Sequence, residues 1–210
     1  MTRSGVVLLA GGASAAGQAV ARELHLRGTR SIIASRSAAE LPPADSTTCA
    51  TVDLTDPTDV AALRATLNDQ GVAVDRIVHL VGGWAGGRDI PGQSEERYAM
   101  LAASFTALRN VTREFHPDLC AAQAPRLISV SSPLAHTPSP NSANYASVKA
   151  ATEAWTLAVN ASLRAATPEG AGVVVVTDGL AEREESFARL VADLMEAPAD
   201  RVAGVRVRHI

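Results

Sequence analysis

The sequence predicts an α/β protein built on a parallel, doubly wound sheet of about seven strands flanked by helices. Short apolar runs alternate with longer stretches of helical periodicity along almost all of the 210 residues. The candidate strands are apolar throughout, as is typical of strands whose two faces are both covered by helices. A composition of 47% hydrophobic and 20% charged residues supplies the aliphatic core that such a sheet needs.

The elements follow one another without a repeat or a low-complexity linker, so residues 1–210 are predicted to form one domain. Gly28 ends the first helix, and Thr55-Asp56-Pro57 opens the second with a cap and a proline in the first turn. The predicted strands are residues 6–10, 31–35, 48–52, 76–81, 126–131, 172–177 and 202–208. The predicted helices are residues 15–27, 57–70, 95–120, 144–166 and 183–196.

Charge and cysteine content argue against several classes of function. The net charge is −3 and no run of Lys or Arg stands out, so nucleic-acid binding is not expected. The apolar run at 6–10 is broken by glycine and reads as a strand, and no stretch approaches the roughly 20 residues of a membrane span. Cys49 and Cys120 have neither metal-ligand nor disulfide spacing and are expected to pack as small apolar groups. We therefore expect a cytoplasmic protein with no metal, membrane or nucleic-acid partner.

A glycine-containing turn joins the first predicted strand to the first helix. Gly11 permits the tight turn, and Gly17 lets the helix pack close to the sheet. Backbone N–H groups and the positive end of the helix make this position suited to the pyrophosphate of a dinucleotide. The candidate pyrophosphate contacts are Gly11, Ala13, Ser14, Ala16 and Gly17.

The end of the second strand favours NADPH over NADH. An acidic residue there would accept hydrogen bonds from the adenosine ribose and repel a 2′-phosphate, but no carboxylate occurs before Glu40. Arg36 can hold a 2′-phosphate with hydroxyl donors beside it; the alternative is a solvated surface arginine. The candidate contacts of the adenosine half are Ser35, Arg36, Ser37, Asp53 and Leu54.

Three residues in the second half of the chain predict hydride transfer coupled to proton transfer. Tyr145 and Lys149 are four residues apart and share a helix face. A cation roughly 4 Å from a phenol stabilises the phenolate by about 4 kcal/mol at an effective dielectric near 20, which lowers the pKa by up to ~3 units. Ser132, thirteen residues before the tyrosine, would hold the substrate oxygen while a hydride moves to or from the adjacent carbon.

These residues together resemble the short-chain dehydrogenase/reductase family, and the resemblance covers essentially the whole chain. The family's TGxxxGxG turn is present at residues 10–17, with alanine in place of the threonine and of the middle glycine. The resemblance implies a Rossmann-like fold, an NAD(P) cofactor, and a homodimer or homotetramer formed through the helices at 95–120 and 144–166. It also implies that Tyr145 is the general acid/base, that Ser132 orients the substrate, and that Lys149 binds the nicotinamide ribose and lowers the tyrosine pKa.

The loop after the fourth strand departs from the family's Asn-Asn-Ala-Gly. Here the chain reads His79-Leu80-Val81-Gly82 and continues into a GGWAGG stretch at 82–87, which looks like dihydropteridine reductases. Val81 and Gly82 are candidate cofactor contacts, since the glycines let this loop pass close to the nicotinamide. Trp84 is either a planar wall for a ring substrate or a cap on the sheet edge. His79 is expected to be a strand-end residue and not a catalyst.

The family's helical asparagine, which helps to hold a proton-relay water, aligns with Ser104. A hydroxyl can still hold water, so Ser104 is a candidate catalytic residue. Dihydropteridine reductases also lack the asparagine. They typically favour NADH and lack the equivalent of Ser132, however, so Arg36 and Ser132 argue against simple identity.

The segment that supplies the substrate lid in the family is predicted to be much reduced after residue 177. Only 61 residues follow Lys149, and the family's Pro-Gly becomes Asp178-Gly179. An open site would admit a bulky, flat or carrier-held substrate, or a partner subunit would close it. The candidate substrate contacts are Trp84, His136 and Asp178.

The leading hypothesis is an NADPH-dependent oxidoreductase that transfers a hydride to a carbonyl or imine-like group of a small molecule, with Tyr145 as proton donor. One alternative is a dihydropteridine-reductase-like enzyme that stacks a planar heterocycle on Trp84. The other is a non-catalytic nucleotide-binding regulatory or scaffold protein, suggested by the altered turn, the missing asparagine and the reduced lid. The substrate, the reaction direction and the pathway are not readable from the sequence.

Overall fold

The computed structural model describes residues 6–37 and 46–210. Its strands are β1 (Val6–Ala10), β2 (Arg30–Ser35), β3 (Thr47–Thr51), β4 (Val74–His79), β5 (Arg126–Ser131), β6 (Ala171–Val176) and β7 (Arg206–Arg208). Within the described residues they form one seven-stranded sheet of order β3-β2-β1-β4-β5-β6-β7, and every neighbouring pair is parallel. The predicted α/β fold with a single parallel sheet of seven strands is therefore confirmed.

Helices cover both faces of this sheet. They are α1 (Ala15–Leu26), α2 (Pro57–Asp69), α3 (Glu95–Glu114), α4 (His116–Ala121), α5 (Ala143–Ala166), α6 (Glu184–Glu196) and α7 (Ala199–Val202). Short 3₁₀ turns lie at Pro133–Ala135 and Pro140–Ser142. In the part of the chain that the structure describes, no helix is both long and apolar enough to cross a membrane.

Two aliphatic cores result, one on each side of the sheet. Alternate residues of β1 enter opposite cores: Val7 and Leu9 pack with α1 and α6, whereas Leu8 packs with α2, α3 and α5. All five residues of β1 are buried. A strand with a covered surface on each face has no position for a polar side chain, which explains its uniformly apolar sequence.

The order of the strands reverses between β1 and β4. The chain moves from β1 outward to β2 and β3, then crosses to β4 on the other side of β1. The connections after β1 and β4 therefore diverge at the carboxyl ends of these strands and leave a crevice, which is where ligands bind in open α/β sheets.

Side chains cap the amino ends of three helices, and the cap at Asp56 was predicted. The Ser14 hydroxyl accepts from the Gly17 N–H at 3.2 Å at the start of α1, and Asp56 accepts from the Thr58 N–H ahead of Pro57 in α2. Ser94 caps α3 by accepting from the Arg97 N–H. These side chains satisfy N–H groups that helix geometry leaves without an internal partner.

Some predicted boundaries were wrong. The helix predicted over 95–120 breaks at Phe115 into α3 and α4, because Pro117 lacks the N–H needed to continue it. The strand predicted over 202–208 shortens to β7, because residues up to Val202 form α7 and Gly204 takes a positive φ of 72°. Cys49 is exposed, contrary to expectation, since β3 is an edge strand.

Candidate active site

A groove of about 400 Å³ lies at the carboxyl ends of β1, β2 and β4. Nine of the predicted cofactor contacts line it: Gly11, Ser14, Ser35, Arg36, Ser37, Asp53, Leu54, Val81 and Gly82. Ser104 lines the same groove from α3. The fold thus brings together residues that are far apart in the sequence, at the crevice where the strand order reverses.

The glycine turn has a geometry that side chains would obstruct. Gly11 has a φ of 81°, and a Cβ there would lie only 2.8 Å from the Val81 nitrogen of the neighbouring loop. A Cβ at Gly17 would overlap the backbone of Gly12. Both positions therefore need glycine, and the amino end of α1 stays accessible to a ligand in the groove.

Ala13 and Ala16 belong to the same turn but do not line the groove. The Ala13 carbonyl accepts from the Gln18 side chain at 3.0 Å, and the Ala16 methyl is buried in the core. Any contact that these two residues make with a pyrophosphate would therefore come from their backbone N–H groups.

The far end of the groove carries a guanidinium close to a carboxylate. Arg36 and Ser37 are exposed, and the Ser35 hydroxyl donates to the Ser37 carbonyl at 2.6 Å. The Asp53 carboxylate accepts from both the N–H and the hydroxyl of Thr55, and these bonds together with the charge of Arg36 hold the pKa of Asp53 below its usual value. Asp53 is thus ionised at neutral pH, in the electrostatic field of Arg36.

Three of the four predicted catalytic residues meet where β5 ends beside α5. Ser132 follows β5, and its hydroxyl lies near the Tyr145 hydroxyl, where it lowers the pKa of the phenol. Lys149, one turn further along α5, lies with its ammonium nitrogen 5.7 Å from the centre of the Tyr145 ring and donates to the Val130 carbonyl at 3.0 Å. The ammonium also reaches the groove, since a Cβ added at Gly82 would lie 3.5 Å from it.

Burial dominates the acid–base properties of this pair. It raises the pKa of Tyr145 above its ordinary value near 10, and the hydrogen bond from Ser132 offsets only part of that rise. Burial also lowers the pKa of Lys149 to about 8. The prediction that Lys149 brings the tyrosine pKa close to neutrality is not met in this structure, where the ammonium lies over the ring and bonds the Val130 carbonyl.

Trp84 lies beside Tyr145, with ring centres 4.8 Å apart and an interplanar angle of 75°. Its side chain is nevertheless 59% exposed. The loop that carries it is held in place because the Arg97 guanidinium donates to the Gly86 carbonyl and the Gly87 N–H donates to the Asn141 carbonyl. The indole therefore packs against the Tyr145 ring and remains largely exposed to solvent.

Ser104 and His79 are joined behind the groove. The Ser104 hydroxyl donates to the Leu101 carbonyl at 2.6 Å, and the Ser104 carbonyl accepts from Nε2 of His79 at 3.0 Å. Burial and the positive charge of Lys149 lower the pKa of His79 to about 3, so its ring is neutral. Nδ1 of His79 is buried and has no hydrogen-bond partner among residues 6–37 and 46–210.

The remaining predicted substrate contacts lie apart from the groove lining. His136 follows the 3₁₀ turn after Ser132 and binds Glu153 on α5 at 2.7 Å. Asp178 is exposed, with its nearest charged partner Arg208 at 4.0 Å. Only residues 177–183 separate β6 from α6.

Sequence reasoning missed Glu153. The available signal was its spacing: it follows Lys149 by four residues and so lies on the helix face that carries Tyr145 and Lys149. A charged residue on a face predicted to be buried indicates a polar partner, but the sequence does not say which one.

Comparison with known proteins agrees with this geometry. A family model described as short chain dehydrogenase matches residues 5–194. No curated protein sequence matches the chain significantly.

Solved structures share the fold at low sequence identity. The 3-ketoacyl-(acyl-carrier-protein) reductase of Brucella melitensis, complexed with NADH, is 21% identical with a TM-score of 0.83 over 98% of this chain and 96% of its own. The aldohexose dehydrogenase of Thermoplasma acidophilum is 17% identical with a TM-score of 0.84 over 98% and 92%. An NADPH-bound short chain oxidoreductase of Pseudomonas aeruginosa PAO1, described as containing an atypical catalytic center, is 16% identical with a TM-score of 0.84 over 97% and 94%.

The family model covers most of the chain, and the structural neighbours align with nearly all of it. The groove lies at the carboxyl ends of strands where the strand order reverses, which is where open α/β sheets bind ligands. The chain belongs to the short-chain dehydrogenase/reductase family of NAD(P)-dependent oxidoreductases.

Proposed function

We propose that the protein is an NADPH-dependent oxidoreductase that transfers a hydride to a carbonyl or imine-like group of a small molecule, with Tyr145 as proton donor. The observation that carries this proposal is the meeting of Ser132, Tyr145 and Lys149 where β5 ends beside α5, with the Lys149 ammonium close to Gly82 of the groove lining. The bound cofactor supplies the hydride. The residues of this chain supply the proton, the orientation of the substrate and the stabilisation of charge.

Each catalytic residue has a distinct part in the proposed reaction. The Ser132 hydroxyl holds the substrate oxygen or nitrogen, and the Tyr145 hydroxyl gives its proton to that atom as negative charge develops there. The Lys149 ammonium stabilises the phenolate that remains, in a buried setting that strengthens the interaction. Gly82 leaves space beside the ammonium for the hydroxyls of the nicotinamide ribose.

We propose that Ser104 holds the water through which Tyr145 regains its proton. Ser104 is buried and lines the groove from α3, although its own proton is donated to the Leu101 carbonyl. The hydroxyl oxygen can still accept a hydrogen bond from a water molecule. This role differs from that of an asparagine, which both donates and accepts through its amide.

The preference for NADPH over NADH rests on Arg36. Its exposed guanidinium lies at the far end of the groove, where charge-assisted bonds to a 2′-phosphate would form, and Ser35 and Ser37 stand on either side. Among the described residues that line the groove, Asp53 is the one carboxylate, and its charge would repel a phosphate. The N–H and the hydroxyl of Thr55 both donate to the Asp53 carboxylate and disperse its charge. We therefore propose that the attraction of Arg36 for the 2′-phosphate outweighs the repulsion by Asp53.

We further propose one domain over residues 1–210 with a reduced lid, a cytoplasmic location and a homodimeric or homotetrameric state. The connection between β6 and α6 spans only residues 177–183, which supports an open substrate site bordered by His136 and Asp178. Both cysteines are free in the structure, which suits a reducing compartment.

The proposal is tested by following NADPH absorbance with a panel of aldehydes, ketones and cyclic imines. We expect the wild-type protein to reduce at least one compound. Tyr145→Phe should reduce that compound at a far lower rate. Failure of every compound with a protein that binds NADPH would contradict the substrate class. Equal rates in the wild type and Tyr145→Phe would contradict the proton-transfer role.

A second candidate substrate is a planar heterocycle such as a quinonoid dihydropterin, and the position of Trp84 favours it. The exposed indole face next to Tyr145 would stack a flat ring at a gain of about 0.5–1.5 kcal/mol. Trp84→Ala would then reduce kcat/KM for a quinonoid dihydropterin by about threefold to tenfold, whereas Trp84→Phe would retain most of the activity. Equal effects of Trp84→Ala on a dihydropterin and on a small aliphatic ketone would contradict stacking.

A further inference from the structure

Polar bonds tie β5 to one face of α5 along its length. The Lys149 ammonium donates to the Val130 carbonyl, the Ser131 hydroxyl donates to Glu153, and the Ser129 and Thr156 hydroxyls bond at 2.9 Å. The three α5 residues follow one another at intervals of four and three, so they lie on a single helix face. This face is the one that carries Tyr145.

Glu153 differs from the other two because it binds three separate elements. Its Oε1 accepts from the Ser131 hydroxyl at 2.5 Å, and its Oε2 accepts from Nε2 of His136 at 2.7 Å. Arg206 of β7 donates from Nη2 to Oε1 at 3.2 Å, and its Nε lies 2.9 Å from Oε2 in an ion pair. One carboxylate thereby connects α5 to the end of β5, to the loop after Ser132 and to β7.

Burial of the Glu153 carboxylate makes it dependent on these three partners. The Glu153 side chain is only 6% exposed, and a buried carboxylate is costly unless hydrogen bonds and opposite charge compensate it. Here three hydrogen bonds and the ion pair with Arg206 do so, and the pKa of Glu153 lies below its usual value despite burial. Displacing any donor leaves buried charge unpaired, so the carboxylate restrains all three elements together.

Ser132 lies inside the restrained segment. Ser131 precedes it and His136 follows it by four residues, and both bond the same carboxylate. With its two flanks fixed to α5, the Ser132 hydroxyl has little freedom to move away from Tyr145 on that helix.

We infer that Glu153 is a positioning residue: by binding Ser131, His136 and Arg206 it holds the Ser132 hydroxyl at the Tyr145 hydroxyl. The kinetic consequence rests on the proposed oxidoreductase activity, whereas the structural consequence does not. Glu153 acts through Ser132 and takes no part in proton or hydride transfer.

The ionisation of Tyr145 offers a direct test, because the chain contains only two tyrosines. With Tyr98→Phe as the parent protein, phenolate absorbance reports Tyr145 alone. Ser132→Ala is expected to raise the phenol midpoint by about half a unit to one unit, as the loss of one hydrogen bond to the phenolate predicts. Glu153→Gln should raise it by a similar amount, because its amide NH₂ faces donors and cannot hold the segment.

Two further variants keep the test decisive. Ser131→Ala removes only the bond between β5 and Glu153, so it tests the same restraint if Glu153→Gln fails to fold. We expect it to raise the phenol midpoint by less than Glu153→Gln does. Thr152→Val is the matched control, because the Thr152 hydroxyl is buried on α5 and bonds only the Val148 carbonyl of its own helix. The Thr152→Val midpoint should equal that of the parent.

An unchanged midpoint in folded Glu153→Gln, or in Ser131→Ala should Glu153→Gln not fold, would overturn the inference. With a reducible substrate, kcat per bound NADPH should also fall about tenfold to a hundredfold in Glu153→Gln while the dissociation constant of NADPH stays within threefold. A raised midpoint in a protein that reduces nothing would support the positioning role and contradict the oxidoreductase proposal. An unchanged midpoint in a protein with normal turnover would support the oxidoreductase proposal and contradict the positioning role.

Discussion

The two ends of the groove are built in different ways. At the nucleotide end, the turn at Gly11 offers backbone groups, and Arg36 is an exposed side chain with freedom to move. At the catalytic end, Lys149 and Glu153 are buried and bonded to neighbouring elements. Binding a phosphate needs access and backbone donors, whereas proton transfer needs fixed distances, which matches exposed charge at Arg36 and buried charge at Lys149 and Glu153.

The largest effect should come from the catalytic end and leave the nucleotide end unaffected. Tyr145→Phe is expected to lower kcat by about 10²- to 10⁴-fold, because in the proposed mechanism the phenol hydroxyl supplies the transferred proton. The dissociation constant of NADPH should stay within a few-fold, since the phenol takes no part in pyrophosphate binding. Steady-state rates and calorimetric titration of the same preparation measure both. Loss of NADPH binding would mean that the two ends are not separable.

A backbone change at the nucleotide end should reduce both stability and binding. Gly11→Ala forces a Cβ to within 2.8 Å of the Val81 nitrogen at a φ of 81°, and we expect it to cost more than about 2 kcal/mol of unfolding free energy and to abolish NADPH binding. Gly28→Ala is the control, because Gly28 has a φ of 72° with no atom within 4 Å of an added Cβ. It should cost about 1 kcal/mol and leave NADPH binding intact. Equal urea denaturation midpoints for the two variants would contradict the steric contribution.

Removing the exposed Arg36 side chain at the same end should weaken the binding of NADPH only. Arg36→Ala is expected to weaken NADPH about tenfold to a hundredfold and NADH by less than threefold, because the guanidinium addresses only the 2′-phosphate. Arg30→Ala, an exposed arginine at the opposite end of β2, should change neither. Parallel losses for the two cofactors in Arg36→Ala would show that Arg36 does not bind the 2′-phosphate.

The smallest effect concerns the free energy of unfolding and its dependence on pH. Burial lowers the pKa of Lys149 to about 8 from 10.5, so between these pH values the unfolded chain binds the proton that the folded chain has lost. The contribution of Lys149 to the free energy of unfolding therefore rises with pH through that window. Below pH 8 the buried charge destabilises the fold by its full amount. We expect Lys149→Met to be about 1–2 kcal/mol more stable than the wild type near neutral pH, after loss of the bond to the Val130 carbonyl.

That advantage of Lys149→Met should shrink as the pH approaches 10.5, where the wild-type amine is neutral in both states. Urea denaturation across this range measures it. An advantage that does not vary with pH would show that the charge of Lys149 is not what destabilises the fold.

The same division explains what could be predicted from the sequence. The turn at Gly11 and the helical pair Tyr145 and Lys149 depend on local spacing, so their places in the fold were predictable. The sheet of seven parallel strands followed from the alternation of apolar and helical segments.

Other features depend on contacts between distant segments. Glu153 owes its importance to Arg206, 53 residues away, and no periodicity announces that pair. The raised pKa of Tyr145 depends on burial by neighbouring elements, which one helix face cannot specify. The break of the predicted helix at Phe115 was readable from Pro117, whose effect was overlooked.

The most direct test of the proposed function is calorimetric titration of the purified protein with NADPH and, separately, with NADH. We predict a dissociation constant in the micromolar range for NADPH and binding at least tenfold weaker for NADH. Tighter binding of NADH would contradict the role of Arg36 and favour the dihydropteridine-reductase-like alternative. Absence of binding for both would contradict the oxidoreductase proposal, because a turn with alanine in place of the middle glycine would then no longer hold a dinucleotide.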